Sequence, residues 1–359
     1  MICRSVSVGM RIAIVNDSVM AREVLRRVVL SAPGHEVAWQ AADGAEALAQ
    51  TRRDPPDLIL MDLYMPGTDG VEATRRIMGE CPCPILIVTA TVSGHIGKVY
   101  EAMGYGALDA VDTPVLGAGG TVDGSLPLLR KLDIVSRLTG KSAPAAESSP
   151  TLPCSRTPRL DVEPLVVIGA STGGPFALAE ILSRLPAALR AGVVIVQHVD
   201  SCFARGLGQW LTETVGRPVE LAVEGSRPTA GRLWLSGTGD HLLLGEDQCL
   251  HYSVEPRSAS YRPSVDVFFR SVACHWPQPG VGVLLTGMGR DGAEGLLELR
   301  RQGWQTIAQD EATSVIWGMP RAAVELGAAR RVLPLSQIAA AIQELLTVAT
   351  GAQTESPPR

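Results

Sequence analysis

Aromatic side chains are scarce in this chain, at 4% of 359 residues, which excludes the aromatic-rich surfaces of stacking and cage-type binding modules. An excess of positive charge is missing as well. Lys and Arg total 32 against 37 Asp and Glu, a net charge of -5, so there is no electrostatic footprint for a DNA or RNA backbone. No apolar run approaches the roughly 18 residues of a membrane-spanning helix, and Met1 to Gly9 is too short and polar for a secretory signal. The expectation is a cytoplasmic protein without membrane insertion. The seven cysteines, Cys3, Cys81, Cys83, Cys154, Cys202, Cys249 and Cys274, lack the C-x-x-C pairing of a zinc site and the density of a disulfide framework. They read as reduced packing residues.

What is present is a composition of 46% hydrophobic and 19% charged residues, the balance of a globular α/β protein. At about 150 residues per domain there is room for two domains and a linker. Residues 138–163 carry Pro, Ser, Thr and Ala in place of periodic apolar residues and read as that linker, while 351–359 form a polar, flexible tail. From 10 to 137, the runs RIAIVN, EVAWQAA, DLILMD, PILIVT and ALDAV alternate with helical patterns such as REVLRRVVL, AEALAQTRR and GVEATRRIM. Five such alternations predict a five-stranded, doubly wound parallel sheet. From 164 to 350 the signature restarts with PLVVIGAS, GVVIVQH and VGVLLTG, apolar runs of strands buried on both faces. RLWLSG and HLLLGEDQCLHY read as an inserted hairpin of this second parallel-sheet domain.

Ligands of open parallel sheets bind beyond the carboxyl ends of the strands, so the residues just after each apolar run are the candidates. In the first half, Asn16 and Asp17 follow the first strand, Asp62 ends the third and Thr89 ends the fourth. Asp17 and Asp62 are hard oxygen ligands suited to Mg²⁺, which takes one or two carboxylates and keeps several waters. An Asp in such a pocket can attack a phosphoryl group while a hydroxyl such as that of Thr89 contacts a phosphate oxygen. A plainer reading has Asp17 or Ser18 capping a helix, Asp62 opening a turn before Pro66 and Thr89 merely favouring a strand.

The segment LILMDLYMPGTDG, with VNDS upstream and VTA and GALDAVDTP downstream, resembles a two-component response-regulator receiver domain. The resemblance implies Asp62 as phospho-acceptor, Mg²⁺ held by Asp17, Asp62 and the carbonyl of Tyr64, and Thr89 as switch hydroxyl. Two positions depart from the receiver pattern. The acidic pair is Asn16-Asp17, one carboxylate short, and Thr113 stands where a Lys precedes the proline. Weakened Mg²⁺ binding and altered phosphorylation coupling are what these departures imply.

In the second half, Gly169-Ala170-Ser171-Thr172-Gly173 follows a strand and precedes a helix, matching G-x-S-x-G, whose small residues permit a sharp turn that exposes the serine. A phosphate cradle or a simple tight connection fits the same residues. A nucleophilic serine needs a base and an orienter within reach. His198 ends GVVIVQH at the same sheet edge, whereas His35 and His95 belong to the first half and His241, His251 and His275 follow no comparable strand end. Asp291 follows VGVLLT within a glycine-rich loop, and it also fits an N-cap with Glu294 completing a capping box. Three strand ends supplying Ser, His and Asp meet the geometric need of a triad, and the loop glycines leave N–H groups for an oxyanion hole. The chain order Ser, His, Asp is not that of the α/β-hydrolases, which would require Asp240 with His251 or His275.

IGASTGGP, VIVQH, YRPSVD and LLTGMGRDGA, followed by GWQTIAQDEATSVIWGMPRAA, are similar to the catalytic domain of chemotaxis protein-glutamate methylesterases, the CheB family. A receiver ahead of such a domain matches that family's architecture. The resemblance implies Ser171 as nucleophile, His198 as general base, Asp291 as its orienter, Thr172 as an active-site neighbour and the N–H of Met288 as an oxyanion donor, with no cofactor for the ester step. Implied substrates are methylated glutamates, and in some members glutamines, on methyl-accepting chemoreceptors; the implied regulator is a receptor-coupled histidine kinase. Arg262 in YRPSVD is a candidate substrate-side cation. Asn16-Asp17 and the DTP ending further resemble the branch serving Wsp-type surface-sensing systems, whose output is a diguanylate cyclase. The expected activity is a phosphorylation-regulated esterase whose receiver covers the catalytic crevice until Asp62 is phosphorylated. The competing readings are a non-catalytic receptor-docking adaptor or phosphate sink, and a general hydrolase of small esters.

Overall fold

The computed structural model describes residues 9–90, 96–117, 122–139, 162–259 and 261–351, and the chain divides into two compact units between Pro150 and Thr151. In the first unit the elements are β1 (Arg11–Val15), α1 (Val19–Ser31), β2 (Glu36–Ala41), α2 (Gly44–Arg53), β3 (Leu58–Met61), α3 (Gly70–Glu80), β4 (Ile85–Thr89), α4 (Ile96–Gly104) and β5 (Asp109–Asp112). A short pair, β6 (Val115–Leu116) and β7 (Val122–Asp123), leads to α5 (Ser125–Thr139). The sheet is parallel in the order β2-β1-β3-β4-β5, as the alternating pattern predicts. Ile12, Ile14, Leu58, Leu60, Leu86 and Val88 bury one face against helices, each such side chain contributing about 1.5–3 kcal/mol. Helix starts are set by short polar caps: Asp43 accepts from Ala45 and Glu46 N–H at 2.8 and 2.9 Å, and Asp69 from Glu72 N–H at 3.0 Å. The order reverses between β1 and β3, so the chain just beyond those two strands lines the crevice.

The second unit carries β8 (Leu165–Ala170), α6 (Gly174–Arg184), β9 (Gly192–Gln197), α7 (Ser201–Val215), β10 (Val219–Leu221), β11 (Leu233–Leu235), β12 (His241–Leu244), β13 (Leu250–Ser253) and α8 (Val265–His275). It closes with β14 (Val281–Leu284), α9 (Ala293–Arg301), β15 (Gln305–Gln309), α10 (Met319–Glu325), β16 (Arg331–Leu333) and α11 (Leu335–Gly351). Seven parallel strands run β10-β11-β9-β8-β14-β15-β16, with the reversal between β8 and β14. HLLLGEDQCLHY forms the antiparallel hairpin β12–β13, but RLWLSG does not belong to it. Its strand pairs in parallel with β9 and β10, because Leu233, Trp234 and Leu235 are all buried, as befits an interior strand rather than a half-exposed ribbon. Cys81, Cys83, Cys202, Cys249 and Cys274 are free thiols; Cys3 and Cys154 lie outside the described residues, as does most of the expected linker and tail. No described helix is long and apolar enough to cross a membrane.

Candidate active sites

In the first unit, Asn16, Asp17, Asp62, Tyr64 and Thr89 gather at the ends of β1, β3 and β4. The Nδ2 of Asn16 donates to Asp62 Oδ2 at 2.9 Å, and Leu63 N–H donates to Asp62 Oδ1 at 2.7 Å. A carboxylate at position 16 could not make the first of these bonds. Burial pushes the Asp62 carboxyl up, against the backbone N–H groups of Tyr64 and Leu63, and the neighbouring Asp17 adds to the rise. Ser18, and not Asp17, caps α1, accepting from Ala21 N–H at 3.3 Å, which leaves Asp17 exposed at the pocket mouth. Thr89 is buried with its Oγ1 unbonded among the described residues. Thr113 is held through its backbone N–H on the Thr89 carbonyl, at 3.2 Å. Lys98 on α4 is bound to Asp69 at 2.8 Å and lies over the Tyr64 ring, 5.4 Å from its centroid. No group of three or more His, Cys, Asp or Glu that could hold a metal ion gathers among the described residues.

The second site grows from the register of β8 and β9. Ala170 pairs with Gln197, so Ser171 and His198 stand one residue beyond a matched pair on strands about 4.8 Å apart. Gln197 fixes both: its Nε2 donates to the Ser171 carbonyl at 2.8 Å and to the His198 carbonyl at 3.1 Å. The turn after Ser171 is a true strand-turn-helix connection. Gly173 has φ +76, and a Cβ there would come within 2.7 Å of Val315. Thr286 braces the turn from β14, its hydroxyl donating to the Thr172 carbonyl at 3.0 Å while its own carbonyl accepts Ser171 N–H at 3.1 Å.

His198 meets Asp291, Nε2 to Oδ2, at 2.7 Å. Carboxylates only accept, so this nitrogen carries the hydrogen, and Nδ1 remains buried without a partner among the described residues. Tyr261 stacks on the imidazole with centroids 4.5 Å apart and planes 7° from parallel. Asp291 is not the cap of α9; Gly292 is, with φ +87. The aspartate instead turns back onto the start of α8, accepting from Ser264 Oγ at 2.8 Å, Val265 N–H at 2.7 Å and Asp266 N–H at 3.1 Å. Burial alone would raise this carboxyl; the bonds from His198, Ser264 and Val265 outweigh it and hold the group below the usual carboxylate range. Ser171 and Thr172 are 6% and 7% exposed, and Met288 is 9% exposed. The N–H groups of Thr172 and Met288 donate to nothing among the described residues, which leaves two donors beside the serine.

This arrangement matches known proteins over nearly its whole length. The family model for CheB methylesterase matches residues 166–342, and that for the response regulator receiver domain matches 12–116. A Burkholderia thailandensis protein named protein-glutamate methylesterase/protein-glutamine glutaminase 4 is 54% identical over 330 residues, covering 92% of this chain and 96% of that protein. The chain belongs to the CheB methylesterase family. Relatives of the same name from Pseudomonas putida and Pseudomonas aeruginosa are 52% and 50% identical, over 93% and 94% of this chain and 99% of each relative. This CheB-family chain is accordingly a hydrolase with a receiver ahead of its esterase unit.

The sequence reading missed several residues of the second site. Tyr261 and Ser264 flank Arg262, the one residue of YRPSVD that the sequence singles out, and Arg262 itself is exposed. A segment rich in Pro and Ser before a helix gave the available signal, since a cap residue next to a strand-end aspartate brings a helix start into the pocket. His241 is a structural histidine: its Nδ1 accepts Ser264 N–H at 3.1 Å and its Nε2 meets the Pro256 carbonyl at 3.2 Å.

Proposed function

We propose that this CheB-family chain hydrolyses glutamate methyl esters on chemoreceptors through Ser171, with His198 as general base and Asp291 holding the imidazole. The observation that supports this best is the Nε2 bond to Asp291, which leaves a buried, unbonded Nδ1 on the strand beside Ser171. Ser171 Oγ bonds to the ester carbonyl carbon as its proton passes to Nδ1. The oxyanion takes the N–H groups of Thr172 and Met288. Collapse breaks the bond to the methoxy oxygen, which leaves as methanol with the proton from His198. Water repeats the sequence on the acyl-enzyme and frees glutamate. A glutamine amide presents the same carbonyl with ammonia as leaving group, so deamidation uses the same residues.

In the receiver unit, Asp62 is the phospho-acceptor for a receptor-coupled histidine kinase and Thr89 the switch hydroxyl. Asp17, Asp62 and the Tyr64 carbonyl are three hard oxygens that fit Mg²⁺, which when bound supplies charge neutralisation for phosphoryl transfer. Residues 10–137 form the receiver, 138–163 the linker, 164–350 the catalytic domain and 351–359 the tail, with unphosphorylated receiver restraining the esterase.

Methanol release from methylated receptor membranes, with and without a small phosphodonor and Mg²⁺, tests the reading. Release that rises with the phosphodonor is expected. No release under either condition would favour the docking adaptor, and equal turnover of simple nitrophenyl esters would favour a general hydrolase. For the metal, Asn16→Asp restores a second acidic ligand and is expected to tighten Mg²⁺ about tenfold by calorimetry. An unchanged affinity would remove position 16 from the metal site.

A further inference from the structure

One half-buried acid of the second unit takes no part in the chemistry above. Asp266 lies in the first turn of α8, and its backbone N–H donates to Asp291 Oδ1 at 3.1 Å. Its own Oδ1 accepts Gly295 N–H at 2.6 Å, tying α8 to α9. A Cβ at Gly295 would fall 2.7 Å from Phe269 and 2.9 Å from the Asp266 carbonyl, so the two helices approach closely at this point. One backbone bond therefore joins two acids, the half-buried Asp266 and the buried Asp291, and only Asp291 has an imidazole.

The charges facing Asp266 come from every element around it. Asp291 lies on the loop after β14, with His198 from the end of β9 behind it. Arg270 and Glu294 pair with each other along the α8–α9 seam, cancelling one another's charge. His241 of β12 and the exposed Arg262 stand at the front of α8. No cation in this set bonds to the Asp266 carboxylate. Burial, followed by repulsion from Asp291, pushes the Asp266 carboxyl up to about 7.

The geometry points to Asp266 as a positioning residue of the esterase: an uncompensated acid, one backbone bond from Asp291, whose charge tunes how tightly His198 keeps a proton. The inference rests on His198 being the base. Its sign follows from electrostatics. An ionised Asp266 adds negative potential at the His198–Asp291 pair, so the imidazolium persists to higher pH and the free base forms later. A neutral side chain at 266 removes that pull.

Asp266→Asn keeps the oxygen that accepts Gly295 N–H and deletes the charge. The full chain carrying it is expected to show the acid limb of kcat/KM for methylated receptors displaced to lower pH by about one unit, the scale at which two titrating groups count as coupled. In the wild-type chain, the His198 ring signals in an NMR titration are expected to move in two steps, and in Asp266→Asn in one. A purely structural role would lower activity or melting temperature without moving either midpoint. Coincident pH profiles, or a single-step His198 titration in the wild type, would overturn the inference. If Asp266→Asn does not fold, the wild-type titration still decides. If the wild type releases no methanol, the proposed function fails while the titration remains readable.

Discussion

Ser171→Ala is expected to lower methanol release by about a million-fold. The substitution removes one oxygen and little else. Ser171 stands at the end of β8, outside the helix, and its backbone bonds to Thr286 and Gln197 do not involve the hydroxyl. Melting temperature and the receiver's response to a phosphodonor should therefore match the wild type. Loss of methanol release with an intact fold isolates the nucleophile. Release within tenfold of the wild type would mean that the ester is attacked by something other than Ser171, and the mechanism above would fall.

Asp291→Asn should be nearly as damaging, with a loss of about 10⁴-fold in kcat, for a reason particular to this site. The aspartate accepts four hydrogen bonds, from His198 Nε2, Ser264 Oγ and the N–H groups of Val265 and Asp266. Asparagine offers one oxygen and one NH₂. If the oxygen takes the place of Oδ1, it keeps Ser264 Oγ and Asp266 N–H, while the amide nitrogen faces Nε2, forcing that atom to accept, and also confronts Val265 N–H. The ring hydrogen then moves to Nδ1, the atom proposed to receive the serine proton, and the base is blocked. If the oxygen takes the place of Oδ2 instead, it keeps Nε2 and Val265 N–H, and the NH₂ confronts the Asp266 N–H donor. A kcat loss below tenfold would show that the tautomer does not matter, and would remove Asp291 from the mechanism. The serine-reactive fluorophosphonate label offers an independent readout, since Ser171 in Asp291→Asn should react far more slowly.

Much of this is legible in the sequence. Runs such as LVVIGA and GVVIVQ read as interior parallel strands, which sets the residues that end them at one edge. Ser171, His198 and Asp291 are singled out that way, and the order β9-β8-β14 makes their three strands neighbours. What periodicity could not reveal was direction. Asp291 has the spacing of a cap for α9, and only the approach of α8 in space turns it the other way. Tyr261 sits in a segment without periodicity, so nothing local announced its stacking on His198. The strand β11 was misassigned because three residues are too few to distinguish a buried parallel strand from one arm of a hairpin. In the receiver, α5 went unread because Pro127 interrupts its first turn in sequence, where proline is in fact tolerated.

The amide of Gln197 has a consequence for how this enzyme meets heat. One side chain, 2% exposed, clasps the carbonyls of both Ser171 and His198. The spacing of those two residues belongs to the central strands and not to the rim loops, which open first as temperature rises. Warming is therefore expected to loosen the entrance before it disturbs the proposed reacting pair. Labelling of Ser171 by a small serine-reactive probe is expected to persist until the sheet itself melts, while methanol release from whole receptors is expected to fade at lower temperature.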